Sequence, residues 1–158
     1  MALRNHSLRR RLLFSAALLL IVFLGIVGFG LNSAFKESVL SNAEDALRNQ
    51  IVLLLSNVDV FDNQLSVADE LLEARLSQAD SDLFAQISTF QDGVVWNSAS
   101  SLGVEMPILL ASLGEFRFYP KFNWPEQPNM YAMSLNVEWE TEQGDLPFTI
   151  QVLSLIHI

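Results

Sequence analysis

The side chains best suited to proton transfer near neutral pH are two histidines, His6 and His157, and they stand at opposite ends of the chain. A hydrolase triad needs such a base beside its nucleophile within the folded body, and neither position offers that. No cysteine occurs, which excludes a thiolate nucleophile, a thiolate metal site and a disulfide framework. There is no GxxxxGK[ST] phosphate loop, no GxGxxG after a strand and no HExxH. If the stretch around Asp69, Glu70 and Glu73 is helical, Glu73 stands at i+4 from Asp69 and i+3 from Glu70, a spacing at which carboxylates could chelate a hard cation. Calcium wants more oxygen ligands and a loop rich in Asp, Asn and Gly, so the expectation is a solvated acidic face, with no metal and no cofactor assigned. Trp96 and Trp139 sit inside strand patterns and read as core; Trp124 lies among prolines and is left open. No catalytic residue is assigned.

Charge is divided unevenly. Residues 1–31 hold Arg4, Arg9, Arg10 and Arg11 and no acid, whereas residues 32–152 hold all 18 acids against five bases, a net −13. Phosphate neutralisation needs clustered Lys and Arg, so nucleic acid is excluded as a partner of this segment. The acidic surface keeps the domain soluble and would attract cations before anions.

From Leu12 to Leu31 runs LLFSAALLLIVFLGIVGFGL, with no charge. Twenty residues at 1.5 Å rise span about 30 Å, the hydrocarbon thickness of a bilayer. Arg9, Arg10 and Arg11 abut its start, and the positive-inside rule then places residues 1–11 in the cytoplasm and everything after Leu31 outside. A cleaved signal peptide shares the basic start, but its apolar core is shorter and ends in a small-residue cleavage pattern that is missing here. Arg9-Arg10 followed by x-Leu-Leu loosely fits a twin-arginine signal, for which the apolar run is too long.

Residues 33–57 contain neither Pro nor Gly and read as a helix continuing the membrane span. Leu40, Ala43, Leu47, Gln50 and Leu54 recur at alternating three- and four-residue steps, a seam on which a second copy could pack in a homodimer with Gln50 as its polar interruption. The same spacing lets Leu47, Ile51, Leu54 and Leu55 pack on a sheet of their own domain, and both arrangements can hold at different heights of one helix. Val58–Gln64 reads as the helix exit.

Strand signals follow. Leu83–Phe90 and Val94–Asn97 flank Asp92-Gly93, a hairpin turn signature. Phe116–Tyr119 is a third short strand, and Pro120, Pro125 and Pro128 mark a loop. From Tyr131 to Glu140 the alternation predicts a buried face of Tyr131, Met133, Leu135, Val137 and Trp139 and a wet face of Ala132, Ser134, Asn136, Glu138 and Glu140. Gln143-Gly144-Asp145 turns the chain, and Phe148, Ile150 and Val152 form the next buried face. One long helix, an acidic connection and about five hairpin-linked strands predict an α+β domain with an antiparallel sheet, an order that a PAS-like extracytoplasmic sensor fits. The last six residues, Leu153-Ser154-Leu155-Ile156-His157-Ile158, break the alternation and coincide with the translation of a transposase end sequence used in sequencing libraries. They are expected to be an artefact that truncates the sensor domain, residues 32–152, before a second membrane helix.

Arg75-Leu76-Ser77-Gln78, Leu83-Phe84-Ala85-Gln86-Ile87, Gly93-Val94-Val95-Trp96-Asn97-Ser98, Trp139-Glu140 and Pro147-Phe148-Thr149 together resemble the sensor domain of PhoQ-like sensor histidine kinases of Gram-negative bacteria, over roughly residues 8–152. The motifs are structural. Relatives often carry Asn-Gln-Pro-x-Ser-Gly where this chain has Ser77-Gln78-Ala79-Asp80-Ser81-Asp82, and the dense acidic run that senses magnesium in that family has no counterpart here. The resemblance implies a two-component sensor whose parent adds a HAMP linker, a phosphoacceptor histidine domain and a kinase domain using ATP and Mg, with a cytoplasmic response regulator as partner. The same input architecture serves a chemoreceptor or a cyclic-dinucleotide synthase, and a third expectation is a secreted or anchored binding protein.

Overall fold

The computed structural model describes residues 5–61, 64–68, 73–79, 81–123, 129–141 and 144–155. The expectations placed on Asp69 and Glu70, on Trp124, Pro125 and Pro128, on Gln143, and on Ile156, His157 and Ile158 lie outside those residues. The chain divides into two compact units, residues 1–41 and residues 42–158.

Helix α1 runs from Asn5 to Ser56 with no break at Leu31. Its first unit is exposed all round, Leu12, Phe14, Ile21 and Phe29 included, and is long and apolar enough to cross a membrane. In water such a surface would be strongly unfavourable, which is why a helix apolar on every side belongs in lipid or in a large core.

The second unit is α+β. After α1 come β1 (Val58–Phe61), β2 (Gln64–Val67), the one-turn helix α2 (Ala74–Ser77), β3 (Leu83–Thr89), β4 (Gly93–Asn97), a 3-10 turn (Ala99–Ser101), β5 (Phe116–Phe122), β6 (Met130–Thr141) and β7 (Gly144–Leu155). The main sheet has the order β4-β3-β7-β6-β5 and every neighbour is antiparallel. The Asp92-Gly93 turn forms where the sequence predicts it, with Gly93 at φ +72°, a conformation a Cβ disfavours. β1 and β2 form a separate hairpin, Val58↔Val67 to Phe61↔Gln64, where the sequence suggested only a helix exit. Pro120, expected in a loop, lies inside β5. β5 is an edge strand whose register shifts between Tyr119 and Phe122, so the missing N–H costs no ladder bond.

One face of the sheet carries the main core. Leu83, Ala85, Ile87, Met133, Leu135, Phe148, Ile150 and Val152 pack with Leu47, Ile51 and Leu54 of α1, with Val58 and with Leu76 of α2. Trp96, Trp139 and Tyr131 pack at its margins, as their strand positions predict. β3 is buried along its whole length, because the opposite face is covered too. There Phe84, Met130, Ala132 and Leu153 pack under Val104, Met106 and Leu109 of a strap, residues 102–114, that crosses from the 3-10 turn to β5. The predicted wet face of β6 is therefore wet only at Glu138 and Glu140, while Ala132 and Ser134 are buried beneath the strap. β7 also continues through Leu153, Ser154 and Leu155 without leaving the ladder: they pair with Ala132, Tyr131 and Met130 on β6, and Leu153 is buried.

Side chains complete the ladder where strands end. Beyond Asn97, Ser98 takes the place of a strand residue: its N–H donates to Ala85 O at 2.9 Å and its Oγ accepts from the Ala85 N–H at 3.0 Å. Ser100 Oγ donates to Leu83 O at 2.7 Å. The Ser98 contacts satisfy the N–H and C=O of Ala85, and Ser100 shares Leu83 O with Ser81 Oγ, which donates to it at 3.1 Å.

Candidate functional site

The predicted seam residues do not share one surface. Leu47 is 3% and Leu54 0% exposed, both in the domain's own core with Ile51. At these two positions the packing is that on the domain's own sheet, one of the two arrangements the spacing allowed. Ala43 and Gln50 are half-buried. Leu40 remains exposed, as do Phe35 and Val39 in the same unit, and Val52 and Leu53 on the outer side of the second unit's helix. Arg9, Arg10 and Arg11 are exposed within α1, at the start of its apolar run.

Gln50 has a partner within the chain. Its Nε2 donates to the Glu73 carboxylate, which also receives the Arg75 side chain, and Arg75 reaches Asp82 at 3.6 Å. The relay joins α1 to the one-turn helix and to the start of β3. It forms because α2 places Leu76 in the core and so turns Glu73 and Arg75 toward the helix edge. The hydrogen bond to Glu73 holds the Arg75 guanidinium above its ordinary range, against the opposing effect of desolvation, with Glu73 and Asp82 charges adding to the rise. Arg75 is about half exposed, so the relay orients more than it stabilises. Arg48, also on α1, lies 4.4 Å from the Phe116 ring centroid on β5, a cation–π contact beside the core.

Among the described residues no group of three or more His, Asp or Glu side chains could hold a metal ion. Two adjoining shallow hollows lie at the end of the sheet where the β3–β4 and β6–β7 turns meet. They are lined by Thr89, Gln91, Asp92 and Leu146, with Asp145 and Pro147 in one and Gln64 and Leu65 in the other. Phe90 projects there almost fully exposed. In both, Thr89 Oγ accepts from the Asp92 N–H at 3.0 Å and donates to the Asp92 carboxylate at 3.4 Å, contacts that close the β3–β4 turn.

Sequence reasoning missed two features. The relay through Glu73, Arg75 and Asp82 has no periodic signature. Gln86 and Gln151 did leave a trace: each is a lone amide inside an apolar strand run, Leu-Phe-Ala-Gln-Ile and Ile-Gln-Val-Leu, the pattern of a strand buried on both faces. Compared with protein-family models, with curated proteins and with solved structures, the chain matches none.

Proposed function

We propose that this chain is the signal-input part of a membrane-bound bacterial sensor: a PAS-like extracytoplasmic domain on a single transmembrane anchor, acting as a homodimer on a histidine kinase and response regulator that lie outside the residues given. The observation that carries the reading is α1 itself. One helix holds an exposed apolar run preceded by three arginines and then contributes Leu47, Ile51 and Leu54 to the core of an acidic α+β domain. A change in how that core packs is a change in the same element that enters the membrane, the economy a receptor needs. The resemblance to PhoQ-like sensor kinases supports the choice of output, and the exposed Phe35, Val39 and Leu40 are the surface on which two copies of α1 would meet.

The natural absence of cysteine makes the test direct. Single variants Leu40→Cys, Phe35→Cys and Glu37→Cys are produced in bacterial membranes and oxidised, and Ser7→Cys and Asp145→Cys are labelled with a membrane-impermeant thiol reagent. The reading expects more crosslinked dimer at residue 40 or 35 than at residue 37, and labelling in intact cells at residue 145 only. Labelling at residue 7 from outside, or equal crosslinking at all three helix positions, refutes it.

A further inference from the structure

The face of the sheet turned away from α1 carries a polar row. Asn97, Gln86, Gln151, Ser134 and Arg117 stand in register on β4, β3, β7, β6 and β5, and directly opposed residues of antiparallel strands point to one face. The middle three are sealed: Gln86 is 1% exposed, Gln151 and Ser134 0%. Gln151 is fully used. Its Oε1 accepts from the Leu109 N–H at 2.8 Å, and its Nε2 donates to Pro107 O at 2.7 Å and to Gln86 Oε1 at 3.2 Å.

On either side of it a donor is stranded. Gln86 Nε2 and Ser134 Oγ have no hydrogen-bond partner. Renaming the amide atoms does not remove the problem. The Leu109 N–H can only donate and Pro107 O can only accept, so the orientation of the Gln151 amide is dictated. Gln86 must then turn its oxygen to Gln151 Nε2, which leaves its own NH2 unpaired. A stranded buried donor destabilises a fold that methionine or alanine at the same position would spare, so its presence calls for an acceptor that comes and goes.

The chemistry of that acceptor follows from the row. Gln86 offers an amide N–H, Ser134 an O–H, and beyond Ser134 the exposed Arg117 offers a guanidinium with no ion pair among the described residues. Arg117 lies 5.5 Å from the centroid of the Tyr119 ring, whose hydroxyl donates to Leu110 O at 2.9 Å, so the cation and the strap share one anchor. Three donors and a fixed positive charge select an anionic oxygen, and the guanidinium fork matches a carboxylate. The cover suits an occupant that enters and leaves. Residues 102–114 have no helix and only one bridge, Leu113 to Asn136. The strap is fastened over this face by Gln151, Tyr119 and Asn136, with the Gly114 N–H donating to Asn136 O at 2.8 Å. The strap's apolar side chains pack on Phe84, Met130, Ala132 and Leu153 and its backbone is held by side-chain bonds beside the polar row; irregular segments of this length often cover binding sites.

We infer that the sheet face beneath residues 104–111 is a binding site for a small organic carboxylate, received by Gln86 Nε2, Ser134 Oγ and Arg117 when the strap lifts. The inference goes beyond the receptor reading, since binding to this chain requires neither membrane nor kinase, and its failure would leave that reading standing.

The test uses the full chain in lipid nanodiscs, with thermal melts and titration calorimetry against acetate, succinate, L-glutamate and citrate as sodium salts. Sodium chloride and acetamide serve as controls at matched pH and ionic strength. Ser134→Ala removes a stranded donor and breaks no bond, so that ligand-free variant should melt at or above the parent; Gln86→Met removes the other stranded donor together with the acceptor of Gln151 Nε2, and Arg117→Gln removes the charge. At least one carboxylate should raise the parent's melting temperature saturably while chloride and acetamide do not, and each variant should weaken that binding tenfold or more. No binding by any of the four carboxylates, binding unchanged in Gln86→Met, or a ligand-free Ser134→Ala that melts below the parent would each overturn the proposal, the last by showing that the hydroxyl is already satisfied by internal water.

Discussion

Leu54→Ala separates the two uses to which the seam of α1 could be put. The substitution deletes roughly three carbon groups from a fully buried side chain, about 2.4 kcal/mol at about 0.8 kcal/mol each. The void left among Leu47, Ile51 and the sheet adds on the order of 1 kcal/mol at about 24 cal/mol per Å³. The total of about 3.5 kcal/mol corresponds to a melting temperature lower by about 10–20 °C for a unit of this size. The adjoining Leu53 is 51% exposed, so Leu53→Ala should cost about 1 kcal/mol or less. The assay is urea unfolding of the full chain in a mild detergent, followed by Trp fluorescence at two protein concentrations well apart. A side chain buried in its own domain loses the same free energy at both concentrations. One buried between copies loses an amount that varies with concentration, since association is then part of the measured stability. Equal losses at positions 53 and 54, or a Leu54→Ala deficit that changes between the two concentrations, would refute the intradomain packing described above.

Other outcomes follow from particular contacts. Gln151→Leu strands the Leu109 N–H and Pro107 O and should cost about 2–3 kcal/mol, with amide hydrogen exchange rising selectively in residues 107–111 and not in β6. Gly93→Ala forces a Cβ into φ +72° and should cost about 1–2 kcal/mol in urea titrations, with no Cβ clash to add to it. Arg75→Ala should cost about 0.2–1 kcal/mol, less in high salt, because the side chain is half exposed. Since folding raises the Arg75 pKa, its contribution is present throughout the neutral range and is lost only as strongly alkaline pH deprotonates the folded state; a stability profile that changed between pH 6 and pH 8 in the parent but not in Arg75→Ala would contradict this.

What the residues alone determined is what local rules govern. The uncharged apolar run Leu12–Leu31 and the absence of Pro and Gly over residues 33–57 dictate a long helix, because nothing after the run interrupts the backbone hydrogen-bond ladder. Asp92-Gly93 dictates a turn because glycine tolerates the positive φ, and strict alternation from Tyr131 to Trp139 dictates a strand with those residues toward the main core. The α+β class followed from the order of such elements. The tertiary structure decided which surface each pattern meets. A three-and-four spacing serves a second helix or a sheet equally well, and only the position of the sheet sent Leu47 and Leu54 inward and gave Gln50 a carboxylate in its own chain. The strap has no periodicity, so nothing local announced that Ala132 and Ser134 would be buried on the face expected to be wet. The polar row joins residues 65 positions apart, Gln86 and Gln151, through a register that exists only once β3 and β7 have paired.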